Sequence, residues 1–375
     1  MLLHFFISTY AVVIAALYFL LPLYLKGNLQ FSGSQIGLLY AILSLTSLVV
    51  AFPVGVTGDR YPARFLTRLG LVVTAASLWT LATARNFWPF LVIFWTFGLG
   101  LQLFRQSLDI MLFKDDAPNA VRRFGHFNAW RMGGMMVGIL FGGLCLRLLD
   151  FPTMFRILAV ALLLLLLFTL RLPRTRGVRS ALWQYGRDFL TRPVLFFATW
   201  LYLFTTHWGA EGTSLGLFLH HRLGLSPLGI GLYMAGEFAV VSATAYCYGR
   251  FWAGRLSPWG FLSLALITSG LGHIFMTYPQ LVWSFVWRGV HGLGDGLILM
   301  ETYTTIARLF HVDRVGGHAG LISLVTTLGV FTGSLIFGPL GAHWGYHWPL
   351  IISGCLALAL LPWAYVGLKT VSSTR

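Results

Sequence analysis

The sequence predicts an all-α membrane protein: twelve transmembrane helices in two six-helix pseudo-symmetric bundles. Composition is the first support. Of 375 residues 57% are hydrophobic and 10% charged, and mean hydropathy is +0.77, where soluble domains carry about 25% charged residues. Twelve apolar stretches of spanning length are the second support, and a repeat between the two halves is the third.

A span needs about 20 apolar residues to cross roughly 30 Å of hydrocarbon. Twelve stretches meet this: 2–25, 36–57, 68–85, 87–113, 126–148, 153–170, 194–219, 229–249, 259–277, 281–308, 317–343 and 347–368. Each must be helical, because an isolated strand leaves its backbone groups unsatisfied in lipid. Pro89, Pro279, Gly224 to Pro227 and Pro349 sit at expected turns. The start, Met1-Leu2-Leu3-His4, reads as the beginning of the first span rather than a cleaved signal, since no basic stretch precedes a short apolar run.

Basic residues set the orientation. With both termini on one side, 18 Lys and Arg fall on that side, including Lys369 and Arg375, and 5 on the other; Arg105, Arg131 and Arg288 lie inside spans. The imbalance places both termini in the cytoplasm and the chain in the cytoplasmic membrane. It also accounts for the net charge of +15. Anionic lipid rather than nucleic acid is the expected counter-charge. The longest connection, 171–193, is a basic cytoplasmic linker between an N-terminal bundle, 1–170, and a C-terminal bundle, 194–375.

The halves match at an offset of 194 to 195 residues: Ile36-Gly37-Leu38 with Ile230-Gly231-Leu232, Gly98 and Gly100 with Gly292 and Gly294, and Gly134, Gly138 and Gly143 with Gly329, Gly333 and Gly338. One register kept across several helices points to a six-helix unit used twice, an architecture in which ligands bind between repeats near the midplane. The Gly134/Gly138 and Gly329/Gly333 spacings put small residues on one helical face, where helices approach closely. That contact serves static packing or a moving interface.

After the second span, Gly55-Val56-Thr57-Gly58-Asp59-Arg60-Tyr61-Pro62-Ala63-Arg64 resembles the signature loop of the major facilitator superfamily, with Pro62 and Ala63 departing from its usual glycine and basic residue. The second-half copy, Ala253 to Pro258, keeps Arg255 and lacks the acid. Arg288-xxx-Gly292-x-Gly294 and Gly329-xxx-Gly333-xxxx-Gly338-Pro339 resemble further patterns of that family. The resemblance spans essentially the whole chain. It implies two bundles rocking about a central site lined by the first, fourth, seventh and tenth spans, with the third, sixth, ninth and twelfth facing outward. It also implies a cytoplasmic latch of Asp59, Arg60 and Arg64, which has physical sense: a carboxylate at a helix end pairs with a cation or caps a neighbouring helix. A plain topology-setting positive loop is the other reading.

Ionisable groups inside hydrocarbon are costly and normally face a protein-lined space. They fall on the fourth span (Arg105, Asp109), the fifth (Arg131), the seventh (His207, Glu211), the eighth (Glu237) and the tenth (Arg288, His291, Asp295, Glu301); the ninth has only His273. Arg105 and Asp109, four apart, share a face, with Arg131 a rival partner. They form a structural ion pair, or Arg105 holds an anionic cargo group, or Asp109 exchanges protons. His207 with Glu211 is the first choice for proton coupling and His291 with Asp295 the second; a satisfied structural pair is the competing reading. Glu237 stands alone on its span, either protonated and hydrogen-bonded or coupled to a cation, and joins the proton-coupling candidates. Glu301 faces Arg308 as a gating pair, with Arg131 and Arg288 as further gate residues. Tyr10, Trp95, Tyr202 and Tyr303 on cavity spans either stack on cargo or pack the core, and Tyr202 joins the expected cargo contacts.

Other signals are weaker. Gly212-Thr213-Ser214-Leu215-Gly216 fits a nucleophile-elbow spacing but lies in a membrane helix rather than a strand-turn-helix. Cys145, Cys247 and Cys355 have neither zinc nor disulfide spacing. His220, His221, His343 and His347 either gather a metal or are ordinary surface histidines. No Walker loop and no cofactor motif is present. The expectation is a monomeric secondary transporter, not an enzyme. It would couple a small polar or charged organic solute to H+ by alternating access, with lipid or drug efflux, or less favoured metal or metallophore transport, as alternatives.

Overall fold

The computed structural model describes residues 1–18, 20–115, 118–255, 257–363 and 365–366. Leu256 of the second-half loop, Lys369, Arg375 and the end of the 347–368 stretch lie outside the described residues. Among the described residues twelve long helices follow in order: α1 Leu2–Tyr18, α2 Gly33–Arg60, α3 Ala63–Thr83, α4 Phe87–Phe113, α5 Ala120–Leu148, α6 Phe151–Leu165, α7 Arg192–Ala210, α8 Pro227–Cys247, α9 Pro258–Phe275, α10 Leu281–Leu309, α11 Val315–Trp344 and α12 His347–Ala359. By length and hydropathy seven helical stretches can cross a membrane, and three shorter ones, those of α1, α9 and α12, are strongly apolar. The other two, α7 and α10, carry the charged cluster described below.

Local chemistry explains the boundaries. Ser32 and Gln35 form a reciprocal capping box at the start of α2, with Ser32 N donating to Gln35 Oε1 at 2.8 Å and Gln35 N to Ser32 Oγ at 3.2 Å. Asp150 caps α6 by accepting from Thr153 N at 2.9 Å, and the Thr153 bonding holds its carboxyl below the ordinary carboxylate range. Ser226 and Ser257 cap α8 and α9, each followed by a proline in the first turn, where a missing N–H costs nothing. α7 passes at Glu211 into a π turn, Glu211–Leu215, and resumes as Gly216–His221. Such turns mark functional positions in many helices.

The chain forms two compact units. The first comprises Met1–Asp116, Gly134–Leu182 and Phe310–Leu324, and the second Ala117–Gly133, Trp183–Leu309 and Val325–Arg375. Within the first, α4 packs on α3 and α2, and α6 on α3; within the second, α10 packs on α9 and α8, and α12 on α9. The same pairings therefore recur six helices later.

The repeat extends to single contacts. In the first unit a Cβ on Gly100 would meet the backbone of Thr74, and Gly134 and Gly138 of α5 lie against the carbonyl oxygens of Ser8 and Val12 of α1. In the second, Gly294 lies against Ser269, and Gly329 and Gly333 of α11 against the carbonyls of Tyr202 and Thr206 of α7. Partner and glycine are both displaced by 194 or 195 residues. Small residues are required because the backbones themselves touch.

Candidate functional site

In the second unit, α7 to α10 bring four charged side chains and three histidines together. Arg288 of α10 is the centre and has no solvent exposure. Its Nη1 donates to Glu211 Oε1 at 2.6 Å and its Nη2 to Glu211 Oε2 at 3.1 Å. That fork is the strongest geometry available to a carboxylate. The same Nη2 also donates to Glu237 Oε2. Glu237, alone on its own span, is thus paired across helices. Arg288, expected among the gate residues, stands at the centre of this cluster.

The expected His207–Glu211 pair is rearranged. Glu211 turns to Arg288 and to His291 Nε2, 2.7 Å away, with His273 Nε2 at 3.4 Å. His207 Nε2 lies 3.4 Å from Asp295 Oδ2. The fully buried guanidinium outbids an imidazole one turn away, and the π turn beginning at Glu211 removes it from the regular α register. Asp295 is also 3.6 Å from His291, as the i,i+4 spacing predicts, and accepts from Ser269 Oγ at 2.9 Å and Trp208 Nε1 at 2.6 Å.

The imidazoles are fixed from behind. His207 Nδ1 is 2.6 Å from Phe204 O, and His291 Nδ1 is 3.0 Å from Ser269 O. A carbonyl only accepts, so both Nδ1 atoms carry a proton. Ser353 donates to Leu350 O at 3.2 Å and so accepts from His273 Nδ1 at 3.0 Å. All three Nε2 atoms point into the cluster without an aligned hydrogen-bond partner. Each faces a carboxylate oxygen, so a proton on the ring or on the carboxyl completes the contact.

His273, in the sequence only the lone ionisable group of the ninth span, and Trp208, which reads as an interfacial aromatic, both join the cluster, as do Ser269 and Ser353, which carry no charge signal in the sequence. The ninth and twelfth spans were expected to face outward. Yet their close approach, where a Cβ on Gly270 would lie 2.8 Å from Gly354 O, turns His273 and Ser353 inward. The signal in the sequence was a lone histidine and a glycine in α9 opposite a Gly and Ser in α12.

The remaining expected residues are spread over both units. In the first, Arg105 Nη1 meets Asp109 Oδ2 at 3.2 Å, as the spacing predicts, and its Nη2 donates to Gln102 at 3.1 Å and Ser323 at 2.9 Å. Asp59 accepts from the backbone N of Gly316 at 3.0 Å and Gly317 at 2.7 Å, and pairs with Lys114 at 3.0 Å. It caps the N-terminus of α11. Arg60 donates to Ser180 O at 3.2 Å, and Arg64 stands in the first turn of α3. In the second unit Arg131 donates to Tyr303 at 3.4 Å, and Tyr202 to Thr332 at 3.1 Å. Glu301 meets Arg308 at 3.5 Å, as expected, but accepts from Tyr248 at 2.6 Å. His220 and His221 are adjacent, with His221 stacked on Tyr346. His220, His221, His343 and His347 are not among the described groups with metal-ligand spacing.

A multi-pass helical membrane protein with a buried charged cluster is the class these features define. The chain belongs to the Major Facilitator Superfamily, whose family model matches residues 3–260 and again 212–374, and it is a transporter. It is 24% identical over 338 residues, 85% of this chain and 84% of the other, to the quinolone resistance protein NorA of Staphylococcus aureus strain MSSA476. The strain MRSA252 protein is 22% identical over 334 residues, again 85% and 84% of the two chains. Among solved structures, the human organic anion transporter MFSD10 (TETRAN) superposes with a TM-score of 0.79 at 16% identity, covering 97% of this chain and 98% of that one. A variant of the Escherichia coli fucose:proton symporter FucP does so with a TM-score of 0.75 at 14% identity, covering 98% and 97%. These superpositions establish the major facilitator fold.

Proposed function

We propose that the protein is a proton-coupled secondary transporter that carries a small polar or charged organic solute across the cytoplasmic membrane by alternating access. It works as a monomer with both termini cytoplasmic and an N-terminal bundle (1–170) joined by the 171–193 linker to a C-terminal bundle (194–375). One observation carries the reading. Three carboxylates, the part-buried Glu211 and the buried Glu237 and Asp295, share one cluster with a single guanidinium, Arg288, which pairs with Glu211 and Glu237, and the Nε2 atoms of His207, His273 and His291 lie 2.7 to 3.6 Å from Glu211 or Asp295. Such a cluster needs further positive charge to be stable away from water. Protons meet that need and can leave when the site opens to water.

In this reading Glu211, whose side chain keeps 15% exposure while Arg288 has none, is the member that exchanges a proton, with Asp295 and Glu237 completing the set. Tyr202, His207 and His291 contact cargo near it, and Arg105 and Asp109 serve cargo and proton on α4. Asp59, with Arg60 and Arg64, acts as a latch whose hold on the α11 N-terminus is made and broken as access alternates; Arg131, Arg288 and Glu301 move with it. Glu211→Gln tests the coupling. In proteoliposomes with an imposed pH gradient it should lose accumulation yet retain exchange of labelled solute. Accumulation equal to the unmodified protein removes Glu211 from the mechanism.

A second reading is favoured by the similarity to the quinolone resistance proteins: efflux of an amphiphilic drug. Fluoroquinolone accumulation in inverted vesicles under the same gradient, absent in right-side-out vesicles, would select it over solute uptake.

A further inference from the structure

We infer that the cluster on α7 and α10 is also a binding site for a divalent transition-metal ion of the zinc, cobalt or nickel type, held by Nε2 of His207, Nε2 of His291 and the carboxylate of Glu211. These three donor atoms lie within 4.8 Å of one another. A second set, Glu237, His291 and Asp295, meets the same limit and shares His291, so a fourth donor from Asp295 is next to the first three.

Four features of the cluster favour this ligand class. First, the donors are mixed imidazole nitrogen and carboxylate oxygen, which suit borderline divalent ions; calcium and magnesium take oxygen donors. Second, each imidazole has the supporting contact a metal ligand requires. Nδ1–H is tied to a backbone carbonyl in His207 and His291, which fixes the tautomer and presents the Nε2 lone pair. Third, those Nε2 atoms are buried and lack an aligned partner. Fourth, the charges fit. Arg288 is shared by Glu211 and Glu237, and its single positive charge among the three carboxylates Glu211, Glu237 and Asp295 leaves the two negative charges that one divalent ion neutralises.

The site itself stands on donor geometry. It depends on the transporter reading only for the ion's route to buried atoms. Cation and coupling protons contend for the same lone pairs, so the ion is held either as cargo or as a block to proton entry.

The test uses full-length protein purified in detergent and stripped with a chelator. Equilibrium dialysis with Zn2+ should give one ion per chain, undisturbed by excess Mg2+ or Ca2+. Co2+ should develop visible ligand-field bands. X-ray absorption of the Zn2+-loaded unmodified protein should show two imidazole nitrogens and carboxylate oxygen. His207→Ala and His291→Ala should each weaken binding by more than the roughly 10- to 100-fold typical of losing an outer partner. The His220→Ala/His221→Ala double variant, on an exposed surface, should bind normally. No stoichiometric Zn2+, an all-oxygen shell, or binding abolished by the surface variant overturns the inference. Proton-driven accumulation is measured separately with chelator present. Its persistence in a protein that binds no metal sinks this inference alone, and metal binding by the unmodified protein together with intact coupling in Glu211→Gln sinks only the proton reading.

Discussion

Arg288 and Glu211 form a two-pronged ion pair between α10 and the π turn that follows α7, and the same guanidinium reaches Glu237 on α8. One residue thereby ties three helical segments of the second unit. Removing the guanidinium leaves two carboxylates facing each other away from water. Breaking a buried pair from one side costs about 3–5 kcal/mol. Arg288→Ala should therefore melt far below the unmodified protein in a common detergent. Arg288→Lys, which keeps the charge and loses the fork, should fall between them. Arg288→Ala/Glu237→Gln should recover part of the loss. An unshifted melting temperature for Arg288→Ala would contradict the pairing.

Asp59 gives the second prediction. Two backbone amides at the α11 N-terminus and the Lys114 ammonium converge on it. Capping bonds are worth about 0.5–2 kcal/mol each. Asp59→Asn keeps an acceptor and loses the charge; Asp59→Ala loses both. Melting should fall in that order. Because Lys114 and Asp59 share one interaction, Lys114→Ala added to Asp59→Asn should cost less than the two single losses combined.

Glycines within one motif separate by what lies opposite. A Cβ on Gly333 would run into the carbonyl of Thr206, whereas on Gly338 the nearest atom, Thr213 Cγ2, is 3.6 Å away. Gly333→Ala should sharply lower stability and transport, since backbone on α7 cannot give way as a side chain does. Gly338→Ala should be tolerated in both. Equal effects in a melting and transport assay would mean that the α7–α11 approach is looser than it stands here.

Much of this was legible in the sequence because hydrocarbon imposes strict rules. The fourth span was expected at 87–113, and the helix runs Phe87–Phe113. The glycine register predicted a repeat that extends to Ser8 with Tyr202 and Val12 with Thr206 as partners. Arg105 with Asp109 and Glu301 with Arg308 followed from helical spacing. The site itself was less legible. Spacing along one helix predicts pairs within it, but the buried cluster is made between helices, and partner choice there depends on depth and rotation. That is why Glu211 was matched with His207 when Arg288 holds it, and why His273 was placed on an outward face. The neutral donors Trp208, Ser269 and Ser353 carry no charge signal in an apolar sequence.

Glu301 offers the last prediction, where magnitudes choose between two partners. Helical spacing names Arg308, which lies 3.5 Å away with a side chain 35% exposed. Pairs at such exposure contribute about 0–1 kcal/mol. Tyr248, the first residue of a π turn, Tyr248–Trp252, that follows α8, is buried, and its hydroxyl donates to Glu301 Oε1 at 2.6 Å. Hydrogen bonds to charged groups contribute about 1.5–3 kcal/mol, and leaving the acceptor unsatisfied adds to the loss. Tyr248→Phe removes one oxygen and leaves the ring packed on Phe261, with centroids 4.9 Å apart, so the measured loss reports the hydrogen bond. Tyr248→Phe should lower the melting temperature more than Arg308→Ala does. In the Glu301→Leu background, where no acceptor remains, Tyr248→Phe should cost little further. The reverse order would make the ion pair with Arg308 the dominant hold on Glu301.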